Sequence, residues 1–244
     1  MESGPERQLL GDLARGLKGT FLDGQLILGG SSGLFGFATD TPAFTEDLDF
    51  LIREDLVVSR GTEIVDLLRR LGFERQPETP TFIGPGKPIF DLVGYSTVDF
   101  ADHLSVPGPL RVMVYGDLGI ALSVPGSTVS GPDGSVVLSP AAFCAVKLMT
   151  VRVEKGAKDK LQALLVIAER GNERRFVESL QSLLDVFDSD RRDDAWADSQ
   201  AAFLSLKQDP NFRDRGAEGY LSFVEKAEKG FEVLSRLHGD RSRG

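Results

Sequence analysis

The stretch LILGGSSGLFGFATDTPAFTEDLDFLI, residues 26–52, decides the fold of this chain. It opens on an apolar run, turns through Gly29-Gly30 and two serines, crosses a spacer, and ends with Asp47-Leu48-Asp49 inside a second apolar run. Side chains alternate across a β-strand, so Asp47 and Asp49 share one face while Leu48 and Phe50 share the other. Two carboxylates held side by side repel and need a cation to compensate. Magnesium, a hard ion that takes oxygen ligands and keeps places for substrate phosphates, suits them. The plainer alternative for so short a pattern is an edge strand with its acids in solvent.

The glycines add a second element. Gly29-Gly30 let backbone approach a ligand closely, and Ser31 and Ser32 then offer hydroxyls and amides at an expected helix N-terminus, which suits a phosphate. No Gly-Lys-Ser/Thr follows, so this is not a P-loop. The spacing Gly30, Gly33, Gly36 also departs from the dinucleotide fingerprint. Taken alone, a tight turn is the alternative.

Working outward, short apolar runs punctuated by most of the glycines and prolines predict strands at 25–30, 46–52, 81–84, 88–95 and 110–116. A helix is expected over 6–17 and another over 61–72, where Ile64, Leu67, Leu68 and Leu71 repeat at helical spacing. Residues 117–137 read as a hairpin or loops. Ser139-Pro140 then opens a different texture, a hydroxyl cap followed by proline at the first helical position. Helices are expected over 139–154, 158–170, 172–188, 191–207 and 217–238. The expected fold class is α/β (α+β): a mixed sheet with flanking helices over 1–138, followed by an α-helical domain over 139–244.

Composition bounds what such a chain can be. Its 244 residues, 41% hydrophobic and 27% charged, exclude a disordered or collagen-like chain. One cysteine, Cys144, excludes a disulfide framework or a Cys-rich zinc site, and its setting in AAFCAV predicts a buried, inert thiol. The charged start MESGPERQLL and the lack of an apolar run of about 18–20 residues predict a soluble, cytoplasmic protein with no membrane partner. A net charge of −9 argues against a surface built for long nucleic acid and suits small substrates or a short RNA segment.

The two elements together resemble the nucleotidyltransferase superfamily, the fold shared by polymerase beta, kanamycin nucleotidyltransferases and CCA-adding enzymes. Its signature, h-G-[GS], a spacer, then D-h-[DE]-h, reads here Leu28-Gly29-Gly30-Ser31 and Asp47-Leu48-Asp49-Phe50. The resemblance implies a third carboxylate on a later strand. Asp91 in PIFDLVGY is the candidate, because a charge in so apolar a run is costly unless paired or metal-bound; Asp99 and Asp102 are its rivals.

Residues 138–171 resemble the AbiEii-like and MenT-like nucleotidyltransferase toxins, in which a helix carries a lysine, then an arginine, and a Lys/Arg-Asp step opens the next helix. Lys147, Arg152, Lys158 and Asp159 fall at those places, while Gln162 stands where many relatives carry another aspartate. On one unbroken helix Lys147 and Lys158 would lie within about 20° of each other, with Gly156 as the natural interruption.

The expected chemistry follows from the resemblance. Asp47, Asp49 and Asp91 would hold one or two Mg2+ ions, Asp91 assisting as base. Gly29, Gly30, Ser31 and Ser32, with Lys147, Arg152, Lys158 and Asp159, would bind a nucleoside triphosphate such as ATP, Lys147 offsetting charge on the departing pyrophosphate. The acceptor would be a hydroxyl of a tRNA end, a protein or a small molecule such as an aminoglycoside, and a toxin-like role would bring an antitoxin partner. A non-catalytic nucleotide- or partner-binding module and a metal-dependent phosphohydrolase are the alternatives.

Other features read more plainly. His103 is expected as a partnerless loop histidine, and with His238 the only other one, a zinc site or a Ser-His-Asp triad has little to work with. Trp196 and Phe203, seven residues apart, predict helix packing. The charged run 188–194 predicts a solvated turn, and Lys155 and Lys160 a solvated helix face.

Overall fold

A computed structural model describes residues 5–36, 47–84, 89–105, 108–131, 134–150, 156–208 and 217–239. They fall into two compact units, one ending at Ser139 and the other beginning at Pro140.

The first unit is mixed α/β. Helix α1 (Pro5–Leu17) leads to β1 (Ile27–Gly29), a 3₁₀ segment at Ser31–Gly36, and β2 (Asp47–Arg53). Helix α2 (Glu54–Arg70) follows without a break, then β3 (Glu74–Arg75), β4 (Thr81–Ile83) and β5 (Ile89–Tyr95). After β6 (His103–Leu104) and β7 (Met113–Val114) come α3 (Gly116–Leu122) and the hairpin β8 (Thr128–Ser130) and β9 (Val136–Leu138). The sheet runs β3-β4-β5-β2-β1-β9-β8, with β7 also on β5 and β6 outside β7. Strands β2 and β5 are parallel, β1 and β2 antiparallel, and β1 and β9 parallel, so the sheet is mixed.

Alternation explains the core. Leu48, Phe50 and Ile52 of β2 and Phe90 and Leu92 of β5 are all buried. Phe90 is the hub, with Phe82 stacked at 5.1 Å and Phe73 and Phe50 meeting it edge-on at 5.1 and 5.5 Å. Ile64, Leu67 and Leu68 give α2 its buried stripe in the same core, and Leu9, Leu10, Leu13 and Leu17 do so for α1.

Two expectations are corrected here. The run 110–116 yields only the two-residue β7, and 116–122 is helical. Gly116 ends the expected strand and Gly119 falls in the expected hairpin or loops, but a β-carbon on either would fall within 2 Å of a carbonyl oxygen, of Phe100 for Gly116 and of Ser96 for Gly119. These glycines admit a close backbone approach. Helix α2 also begins at Glu54 rather than near 61, with no side-chain cap to mark it.

The second unit is helical: α4 (Pro140–Met149), α5 (Gly156–Arg170), α6 (Arg174–Leu184), α7 (Ser189–Gln208) and α8 (Ala217–Gly239). Helix α5 is its centre, buried at Asp159, Lys160 and 162–168. Gly230 lets α8 approach closely, since a β-carbon there would stand 1.9 Å from the Leu164 carbonyl oxygen. Cys144 is fully buried as expected, with Sγ 3.7 Å from the Ala163 carbonyl, and burial pushes its thiol pKa well up. The charged run at 188–194 is not a turn but the start of α7, where Asp188 Oδ1 accepts the Arg191 amide at 2.8 Å. Among the described residues no helix is long and apolar enough to cross a membrane.

Candidate functional site

In the first unit one rung crosses four strands. Thr81 of β4 lies opposite Asp91 of β5, Asp91 opposite Asp49 of β2, and Asp49 opposite Gly29 of β1. Paired residues on neighbouring strands share a face, and Asp47 lies two residues before Asp49 on the same face. All three carboxylates therefore stand opposite the Phe50–Phe90 core. Asp47 is exposed, while Asp49 and Asp91 are half-buried.

The glycine turn packs onto this face. Gly30 has φ +54°, in the left-handed region, and a β-carbon there would lie 1.7 Å from Oδ2 of Asp49. Only glycine meets both conditions. Ser32 fastens the turn from below: its buried hydroxyl donates to the Gly29 carbonyl at 2.8 Å and accepts the Asp49 amide at 3.0 Å. Ser31 is buried beside it. The segment these serines open is a short 3₁₀ helix rather than the expected α-helix start.

Thr81, which sequence reasoning missed, donates its hydroxyl to Asp91 Oδ1 at 2.5 Å. Of the rival carboxylates, Asp102 accepts the Gly116 amide at 2.8 Å at the start of α3, and Asp99 accepts the Ala101 amide at 3.0 Å. His103 is corrected. It sits in β6 with Nδ1 2.8 Å from the Ala101 carbonyl and Nε2 2.6 Å from Glu54 Oε1. The Glu54 hydrogen bond, then the Ala101 one, raises its pKa. Among the described residues no three His, Cys, Asp or Glu side chains are gathered as a metal-holding cluster.

In the second unit, Lys147 near the end of α4 and Asp159 in the first turn of α5 form a buried ion pair. Lys158 lies on the exposed side of α5. The break between α4 and α5 separates Lys147 from Lys158, so the two do not share a helix face. Arg152 lies outside the described residues, as does Lys155. Gln162 is buried.

Lys160 overturns its expectation as a solvated residue. It is 2% exposed, and its ammonium donates to the carbonyls of Leu148, Thr150 at 3.1 Å and Lys147 at 3.4 Å. It closes the C-terminal end of α4, a place where cations are favoured. Trp196 and Phe203 pack as expected, their rings 6.0 and 5.7 Å from Phe231 of α8.

No protein-family model and no curated protein matches this sequence.

Proposed function

We propose that this chain is a magnesium-dependent nucleotidyltransferase that moves a nucleoside monophosphate from a triphosphate to an acceptor hydroxyl. The observation that carries this is the register of Asp49 with Asp91, Asp47 on the same face, under a glycine turn that touches the Asp49 carboxylate. A solvated acidic edge does not account for it, because β2 and β5 lie inside the sheet and each is flanked by other strands.

The donor set is carboxylate oxygen throughout, which fits a hard divalent cation. Asp47 and Asp49 would hold it as a pair, and Asp91, in register with Asp49 but not gathered with the pair into a three-carboxylate cluster, would keep lone pairs that Thr81 leaves open. When bound, magnesium supplies charge neutralisation of the phosphates and a lowered pKa for the acceptor hydroxyl. Asp91 would accept the acceptor hydroxyl's proton as its oxygen bonds the α-phosphorus and the bond to the leaving pyrophosphate breaks. The amides around Gly30 and Ser31 hold phosphate oxygens, while Ser32 holds the turn. Lys147 and Asp159 form a buried ion pair without net charge, so phosphate charge would fall to the metal and to the amides of the glycine turn.

The test is transfer of label from the four α-³²P nucleoside triphosphates, with magnesium and total tRNA, then an aminoglycoside panel, comparing wild type with Asp49→Ala. Label on RNA, protein or small molecule that is lost in a folded Asp49→Ala protein supports the reading and names the acceptor. Release of phosphate without an acceptor points to the phosphohydrolase. Nucleotide binding without turnover points to the binding module.

A further inference from the structure

The helical unit contains a cleft of about 200 Å³ that includes none of the candidate residues above. One wall comes from α7, where Ser189, Arg192, Asp193 and Trp196 recur at helical spacing and so share a face. Leu148, Leu184 and Leu234 form the apolar floor. Protein interiors are packed to crystal-like density with few voids larger than water. An apolar cavity of about 150 Å³ is already enough to take up benzene.

The polar wall is built and internally paired. Arg192 donates to Asp185 Oδ1 at 3.0 Å, and His238 Nε2 lies 2.9 Å from Asp193 Oδ1. The His238 ring is stacked on the Trp196 indole, centroids 5.0 Å apart and planes within 18°. The two rings line the cleft as a stacked pair. Arg192, the arginine at the rim, already has the Asp185 carboxylate, so a charged ligand head would lose its hydration without a free partner to restore it. Hydrogen-bonding capacity remains, since a guanidinium carries five N–H donors and a carboxylate about four acceptor sites.

We propose that this cleft binds a small, flat, uncharged organic molecule of one or two rings. Its body lies between the stacked Trp196–His238 pair and the leucine floor, and its hydrogen-bonding edge meets Arg192 and Asp193. Nothing in this depends on nucleotidyltransferase chemistry.

Trp196 is the chain's single tryptophan, so its indole N–H gives one assignable NMR resonance. The experiment titrates the full chain with benzamide, toluene and benzoate and follows that resonance. The expected result is a saturable shift with benzamide, a weaker one with toluene and none with benzoate. Leu237→Phe, which narrows the cleft at a half-buried lining residue, should abolish the benzamide shift. Should that variant not fold, intermolecular NOEs from benzamide to leucine methyls in the wild type take its place. A benzamide shift that stays linear, survives Leu237→Phe in a folded protein or gives no leucine NOEs overturns the proposal. So does benzoate binding as well as benzamide.

Discussion

A β-carbon on residue 30 would stand 1.7 Å from Oδ2 of Asp49, so the glycine of the turn and the carboxylate of β2 occupy one space. Gly30→Ala must displace the carboxylate or open the turn. It also forces alanine into the left-handed region, at about 1–2 kcal/mol. We expect a modest fall in Tm with at least a tenfold loss of Mn2+ affinity, Mn2+ serving as the paramagnetic stand-in for magnesium. Unchanged Mn2+ binding would show that the turn and the carboxylate are functionally separate.

Thr81 supplies the corresponding restraint on Asp91. Thr81→Val removes a hydrogen bond to a charged acceptor, and we expect about a tenfold fall in label transfer. Thr81→Ser should restore most of it. Equal activity in all three proteins would make Thr81 part of the sheet and no more.

Breaking the Lys147–Asp159 pair leaves an uncompensated buried charge. Asp159→Asn should destabilise the helical unit by about 3–5 kcal/mol, and the double variant Lys147→Met/Asp159→Leu should recover much of that. Urea denaturation of the single and double variants measures both. A double variant no more stable than Asp159→Asn would argue that the pair contributes more than mutual neutralisation.

The His103–Glu54 contact predicts a pH dependence with a definite sign. The folded-state pKa of His103 is raised. Its contribution to stability is therefore complete below the unfolded value of about 6.5 and is lost as pH rises through the folded value. Wild type and His103→Gln, compared by denaturation across this range, should differ most on the acid side and converge on the alkaline side.

Cys144 should not react with a thiol reagent in the folded protein, since it is fully buried and its pKa is pushed up. Labelling should begin only with global unfolding, and rapid labelling under native conditions would contradict the packing of α4 on α5.

What was legible in the sequence followed the rules of local periodicity. The alternation in EDLDFLI and PIFDLVGY located β2 and β5 and their acids to within a residue or two. The start of α4 came from Ser139-Pro140 and the break between α5 and α6 from Gly171, while the break at 185–188 carries neither proline nor glycine. The missed features depend on partners that local sequence does not mark. Thr81 faces Asp91 only because β4 lies beside β5, and Glu54 meets His103 across 49 residues. Lys160 looked like surface because its acceptors are main-chain carbonyls, which every residue has. Gly116 and Gly119 did not read as helix residues because the carbonyls that exclude a side chain there belong to Phe100 and Ser96, distant in sequence.

The grip of Lys160 on the carbonyls of residues 147, 148 and 150 has a consequence for assembly. The last turn of α4 is completed by a side chain from the next helix, so it cannot become fully ordered before α5 has formed. A nascent chain that has emerged only to residue 150 would carry a frayed end there. Once α5 follows, α4 and α5 should order together as one cooperative pair.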